Sequence, residues 1–190
     1  SFFKPVKNIR IASARAGNVI GGGDWAENRI VPDIVKAWSN NKIVNLRNPH
    51  STRPWQHVME PLSGYLNLAA QLSLDKKLHG ESFNFGPSDN KNYSVKHLVE
   101  SMSKYWNKSE WKIIKVNNQH HESGLLKLNC DKALGYFGWS SVMNFDETIK
   151  FTIDWYVDYY KKDRGFDKIT ESQIKKYMKL AKEKKIIWAM

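Results

Sequence analysis

One block of this chain narrows its possible folds more than any other: ARAGNVIGGGDWAENRIVPD, from Ala14 to Asp33. Ile9 to Arg15 reads as a β-strand that empties into a loop carrying Gly17, Gly21, Gly22 and Gly23, and a helix follows from Ile30. A strand that ends in glycines before a helix is the unit from which α/β sheets are wound, and it leaves backbone amides open to a ligand. No Gly-Lys-Ser/Thr follows the glycines, so the loop is not a P-loop.

The second informative block is RNPHSTRPWQHVMEP, from Arg47 to Pro61. Pro49 and Pro54 prevent a helix from propagating, so Arg47 and Arg53 sit on a fixed, exposed loop. Two guanidinium forks on such a loop suit adjacent phosphates, which they grip bidentately, and this points to a small molecule carrying a diphosphate. Arg53 precedes Pro54 and a Trp55 expected to anchor the loop in the core, which makes it the stronger of the pair. His57 lies in the alternating Trp55 to Val58 segment, where a core histidine bonded to backbone and a ligand contact are equally good readings. Arg29 stands at the start of a helix, where the macrodipole disfavours its charge. A ligand role explains that position, because cationic side chains and free helix-terminal amides converging on one point form an anion site.

The remaining elements follow from period and capping. Ile30 to Ser39 is a helix that tolerates Pro32 in its first turn, and Leu62, Tyr65, Leu66, Ala69 and Leu72 recur at helical spacing after Glu60. Ser82 to Gly86 alternates as a strand, and Ser94 caps a helix running to about Trp106 with Leu98, Met102 and Tyr105 as its stripe. Trp111 to Val116 reads as a strand, and Asp131 to Phe137 as a short helix stopped by Gly138. Asn144 with Glu147 and Thr170 with Gln173 form capping-box patterns before two further helices, the first carrying Ile149, Ile153, Tyr156 and Tyr160 on one face. Lys161 to Lys168, charged and containing Gly165, is the linker candidate. Asp24 and Glu60 read as a loop cap and a helix N-terminal charge rather than an acid and base pair.

The 190 residues, 41% hydrophobic with eight Trp, suffice for one domain with a real core. No apolar run reaches membrane-spanning length and no signal-like segment is present, and the single Cys130 fits a reducing, cytoplasmic compartment as a small buried side chain. A net charge of +11 raises nucleic-acid binding. Much of the excess, however, lies on a solvated helix at Lys175, Lys176, Lys179, Lys182, Lys184 and Lys185, and no nucleic-acid module accompanies it. Adjacent His120 and His121 lack further ligands at suitable spacing for a metal, so no metal site is expected.

The segments ARAGNVIGGGDW, RIVPD, RNPHSTRPWQHVMEPLSGYL, FNFGPSD and LKLN, with fainter similarity continuing to ITESQIKKYM, resemble the CDP-glucose 4,6-dehydratase family, a branch of the extended short-chain dehydrogenases/reductases. The resemblance implies an α/β fold: a remnant of a Rossmann sheet over residues 1–29, a substrate lobe over 30–160, and a charged linker with a terminal helix over 161–190. It implies a lyase that uses NAD to convert CDP-glucose to CDP-4-keto-6-deoxyglucose for deoxysugar and surface-polysaccharide supply. The family's GxxGxxG turn and Tyr-x-x-x-Lys pair do not occur here. The expectation is therefore a C-terminal, substrate-binding portion with no catalytic residue of its own, inactive alone and able to self-associate, the alternative being a catalytically silent nucleotide-sugar-binding or truncated paralogue.

Residue by residue, the resemblance implies that Ala16, Gly17 and Asn18 lie beside the cofactor. It also implies that Asn18, Arg29, Arg47, Arg53, His57, Asn84 and His121 line the nucleotide sugar's site, with Arg53 on the diphosphate and Asn18 on the substrate's phosphate or sugar. The HHESGLL stretch departs from the family pattern at Gly124 and Leu125.

Overall fold

A computed structural model describes residues 9–88, 91–115, 128–161 and 165–190. Short parallel strand pairs flanked by helices make up the fold. β1 (Ser13–Ala16) pairs in parallel with β6 (Ser82–Phe85), placing Arg15 opposite Asn84 and Ala16 opposite Phe85. β2 (Val19–Ile20) pairs in parallel with β5 (Gln56–His57), and β3 (Val44–Leu46) with β8 (Trp111–Ile113). β4 (Thr52–Arg53) and β7 (Tyr93–Ser94) form an antiparallel pair.

Among the described residues six α-helices connect and cover these strands: α1 (Ile30–Ser39), α2 (Met59–Leu74), α3 (Val95–Ser103), α4 (Asp131–Phe137), α5 (Phe145–Lys161) and α6 (Phe166–Glu183). Their ends follow local chemistry. Ser94 accepts the His97 N–H at 3.1 Å, and Gly138 closes α4 in the left-handed region at φ 66°. Asn144 and Glu147 exchange backbone bonds of 2.8 and 2.9 Å in a reciprocal capping box. The Thr170 and Gln173 box does not form. α6 starts four residues earlier, the Thr170 hydroxyl donates back to the Phe166 carbonyl while accepting the Trp155 indole N–H, and Gln173 donates to the Phe151 carbonyl. Burial of Ile169 in the core recruits the preceding turn into the helix.

The first strand is shorter than its sequence pattern suggests. Ile9 to Ala12 is not strand: the Arg10 guanidinium donates to the Leu72 and Ser73 carbonyls at the end of α2, and the Ile11 N–H donates to His79 Nδ1 at 3.0 Å. Similarly α3 stops at Ser103, which leaves Tyr105 42% exposed rather than in its stripe. The strand at Trp111 ends at Ile113, and Val116 lies outside the described residues.

Two main apolar clusters position the site. One gathers α1, α3 and α5 around Val44, Leu46 and Trp55, with Ile34, Val35, Leu98, Ile149, Ile153 and Tyr156 fully buried. The other packs α2 and α4 on β6 through Leu68, Phe83, Phe85, Ala133 and Trp139. α2 turns toward β6 with Gly64, where an added Cβ would lie 2.2 Å from the Phe85 ring, so Leu68 faces inward. The stripe of Leu62, Tyr65, Leu66, Ala69 and Leu72 is therefore not the core face as a whole: Tyr65 and Leu72 are half-buried, whereas Leu62 and Leu66 are 49% and 74% exposed. Cys130 is only half-buried, and burial together with the nearby Asp131 raises its thiol pKa. Among the described residues no helix is long and apolar enough to cross a membrane.

Candidate functional site

The strand that carries Asn18 and the loop that carries Arg53 are laced together by backbone. The Gln56 N–H donates to the Asn18 carbonyl at 3.0 Å and the Val58 N–H to the Ile20 carbonyl at 2.8 Å, which continues the β2 and β5 pairing at both ends. Arg53 is fixed from its own side by pairing with Tyr93 in register. The Trp55 backbone N–H donates to the Arg53 carbonyl, and the Trp55 indole N–H to the Tyr93 carbonyl, both at 3.0 Å. Tyr93 in turn stacks on Phe145 with ring centroids 3.8 Å apart. Trp55 thus anchors the loop in the core, and Pro54 lies against Gly17, where an added Cβ would be 3.0 Å from its ring.

These constraints open a cavity of about 600 Å³ lined by Gly17, Asn18, Asp24, Arg29, Arg53 and Trp55 together with the first turn of α1. Four of the residues singled out in the sequence, Gly17, Asn18, Arg29 and Arg53, therefore converge on one space. Among the described residues no side chain caps the N-terminus of α1, whose N-cap is Arg29 itself, so the helix presents its leading amides there. The Arg53 guanidinium donates to the Thr52 carbonyl at 2.8 Å. Arg29 Nη1 donates to Asp24 Oδ2 at 3.1 Å, and Asp24 is the acidic side chain that line-up of residues did not place in a ligand site. Two guanidinium groups, one carboxylate and a helix N-terminus make a cavity suited to an anion of more than one charge.

The other singled-out residues lie elsewhere. Arg47 is exposed at the end of β3 and does not line this cavity, and Ala16, half-buried, ends β1 opposite Phe85. Asn84, beside Arg15, donates to the Asn129 carbonyl at 3.0 Å while its own Oδ1 is buried with no partner among the described residues. His121 lies outside the described residues.

His57 is 1% exposed, its Nδ1 accepting the Met59 N–H at 3.3 Å and its ring resting edge-on against Phe151. The ring is buried in the described chain, as the core reading expects, while its Nε2 is buried with no partner among the described residues. Burial lowers its pKa to about 4, so the ring is neutral.

The glycine loop also differs from its sequence reading. Rather than leaving open backbone, Gly22 is covered by Trp155, whose ring would lie 1.9 Å from an added Cβ, and Gly23 adopts φ 79°. The Tyr156 hydroxyl donates to the Asp24 carbonyl at 2.8 Å, so α5 holds the loop from behind.

Glu60 faces inward rather than serving only as a first-turn charge. It accepts from the Val142 and Met143 amides at 2.9 and 2.8 Å and from the Tyr177 hydroxyl at 2.9 Å. Burial pushes its pKa up to about 7, opposed by those three donors and by the charge of Lys184. It is a structural hub joining α2, the loop before α5, and α6.

No family model matches the chain. Over 160 residues, 82% of the chain, it is 42% identical to CDP-glucose 4,6-dehydratase of Salmonella typhimurium strain LT2, of which it covers 45%. The fold is similar to that of UDP-glucose-4-epimerase of Stenotrophomonas maltophila, solved with NAD and formylated UDP-arabinopyranose (TM-score 0.69, 16% identity, 84% of this chain and 51% of that one). It is also similar to dTDP-glucose 4,6-dehydratase of Bacillus anthracis, solved with NAD (TM-score 0.65, 19% identity, 85% of this chain and 49% of that one). The chain thus spans about half the length of the proteins it matches. Sequence identity and fold agree: the chain is similar to CDP-glucose 4,6-dehydratase over 82% of its residues and shares the fold of the nucleotide-sugar epimerase and dehydratase compared with it.

Proposed function

We propose that this chain is the substrate-binding portion of a CDP-glucose 4,6-dehydratase, a lyase that converts CDP-glucose to CDP-4-keto-6-deoxyglucose with NAD as the redox cofactor. The observation that carries the reading is the convergence of Asn18, Arg29, Arg53 and the uncapped start of α1 on a single cavity of about 600 Å³. In this reading Arg53 and Arg29 hold the diphosphate of the nucleotide sugar, Asn18 donates to a phosphate or sugar oxygen, and the small residues Ala16 and Gly17 let the cofactor approach the end of β1. The cofactor supplies hydride transfer when bound. This chain's own residues bind and orient. By the same reading residues 1–29 belong to the last part of a Rossmann-like region, 30–160 to the substrate lobe and 161–190 to a charged linker with its terminal helix. No Tyr-x-x-x-Lys pair occurs in the sequence, so the chain alone binds without turnover. A cytoplasmic setting and a role in deoxysugar supply for surface polysaccharide belong to the same reading.

Titration calorimetry of the chain with CDP-glucose tests it. Arg53→Ala weakens binding by about 2 to 5 kcal/mol, the loss expected when one partner of a desolvated charged contact is removed. The thermal midpoint stays nearly unchanged, since the guanidinium lies in a cavity rather than in the core. Arg53→Lys recovers only part of the affinity, because an ammonium keeps the charge without the fork. Wild-type affinity in Arg53→Ala, or no binding of CDP-glucose by the unaltered chain, overturns the assignment.

A further inference from the structure

The cavity that collects two guanidinium groups also contains a carboxylate, and that carboxylate is rigidly held. Asp24 Oδ1 accepts the Ala26 N–H at 3.0 Å, Oδ2 accepts from Arg29 at 3.1 Å, and the Asp24 carbonyl is pinned by the Tyr156 hydroxyl at 2.8 Å. Its partner is much freer: the Arg29 side chain is 65% exposed against 26% for Asp24. An exposed pair of this kind is weak and readily exchanged. Asp24 therefore occupies, near the uncapped start of α1, the place of an external anion, and any phosphate that recruits Arg29 must draw it from a fixed negative charge that remains in the cavity wall.

We propose that Asp24 is a specificity-determining residue: an internal counter-anion that competes with the ligand for Arg29 and so favours a diphosphate diester over a free nucleoside diphosphate. The inference rests on the reading of this cavity as a diphosphate site. Repulsion from a fixed carboxylate grows with the ligand's charge. A free nucleoside diphosphate has a terminal phosphate whose second ionisation lies near pH 6, so at neutral pH it carries nearly one more negative charge than the same diphosphate esterified to a sugar. Asp24 thus penalises the free nucleotide more than the nucleotide sugar. The substrate is held while the bare nucleotide, which shares its base, ribose and phosphates, is disfavoured.

Asp24→Asn separates this role from loop capping, because the amide oxygen still accepts the Ala26 N–H while the charge is gone. Calorimetric titration of the wild-type chain and Asp24→Asn with CDP and with CDP-glucose, at low and high salt, is the experiment. Asp24→Asn is expected to bind both ligands more tightly, with the gain for CDP larger than that for CDP-glucose by about fivefold, the effect of one unit charge a few ångströms away in a water-like medium. Added salt shrinks both gains. Unchanged or weakened binding in Asp24→Asn, or equal gains for the two ligands, overturns the role of Asp24 and leaves the diphosphate site standing. Failure of both proteins to bind either ligand overturns the site and this inference together. Binding by Asp24→Asn alone, preferring CDP, supports both.

Discussion

Two buried titratable side chains act on stability with opposite sign. For Glu60 the folded-state pKa is raised from 4.5 to about 7 by burial, so the folded chain binds the extra proton and the stability it contributes is lost as pH rises through that range. For His57 the folded-state pKa falls from 6.5 to about 4, so its contribution is lost as pH falls through that range. Each is worth on the order of 3 kcal/mol, from about 1.4 kcal/mol per pH unit. Between pH 4.5 and 6.5 the two slopes oppose each other. Urea unfolding across a pH series should therefore show a nearly flat midpoint there for the unaltered chain, a midpoint rising with pH in Glu60→Gln, and one falling with pH in His57→Asn. Parallel slopes in the two variants would refute the assignment. In sequence His57 admits a core reading, but Glu60 has the spacing of an ordinary first-turn acid, and only the amides of Val142 and Met143, more than eighty positions away, reveal its function as a hub.

At the level of elements, the glycine loop shows how a motif can be recognised in sequence and its local physics missed. Gly21, Gly22 and Gly23 do mark the turn between β2 and α1, but Gly22 exists for Trp155 of α5, which rests on its backbone. Gly22→Ala should cost about 1 to 3 kcal/mol or more, as overpacking of a closed contact does. Because Trp155 also stacks on Tyr159 with ring centroids 5.3 Å apart, its displacement should be visible as a change in tryptophan fluorescence alongside a lower thermal midpoint. An unchanged midpoint would mean that the loop moves away freely. α6 makes the same point. Its Thr170 and Gln173 have capping-box spacing, yet both serve contacts with α5, because burial of Ile169 outweighs a cap worth about 1 kcal/mol.

For the whole molecule, the exposed surfaces matter more than the buried ones. Among the described residues β1 pairs on one side alone, with β6, and Ser13, Ala14 and Arg15 are exposed along it. Leu62 and Leu66 lie exposed on α2, the helix that covers the neighbouring strand β6. Parallel strands are normally covered on both faces, and an open strand edge beside exposed leucines invites pairing. Sedimentation of the purified chain should show a mass that rises with concentration. Leu66→Lys should shift it toward monomer while leaving the thermal midpoint within about 0.5 kcal/mol of stability. A monodisperse monomer at all concentrations would exclude this association.

What the sequence determined by itself was local or carried by motif. The ends of α1 and α4, the Ser94 cap and the Asn144 and Glu147 box all depend on neighbours within a few residues, where capping and φ preferences act without help from the rest of the chain. The long RNPHSTRPWQHVMEP segment likewise carried the resemblance to CDP-glucose 4,6-dehydratase, to which the chain is 42% identical over 160 residues. Tertiary structure alone decided which faces are inside and which residues meet. It sent Leu62 and Leu66 outward because Gly64 is the residue that admits Phe85, and it put His57 in the core. It left Arg47 outside the cavity and brought Asp24 into it. Periodicity identifies a helix but cannot rank two apolar stripes on it, since the choice depends on the shape of a partner distant in sequence. Charge shows what kind of group a site suits, but only the pairing of β2 with β5 and of β4 with β7 brings Asn18 and Arg53 to the same wall.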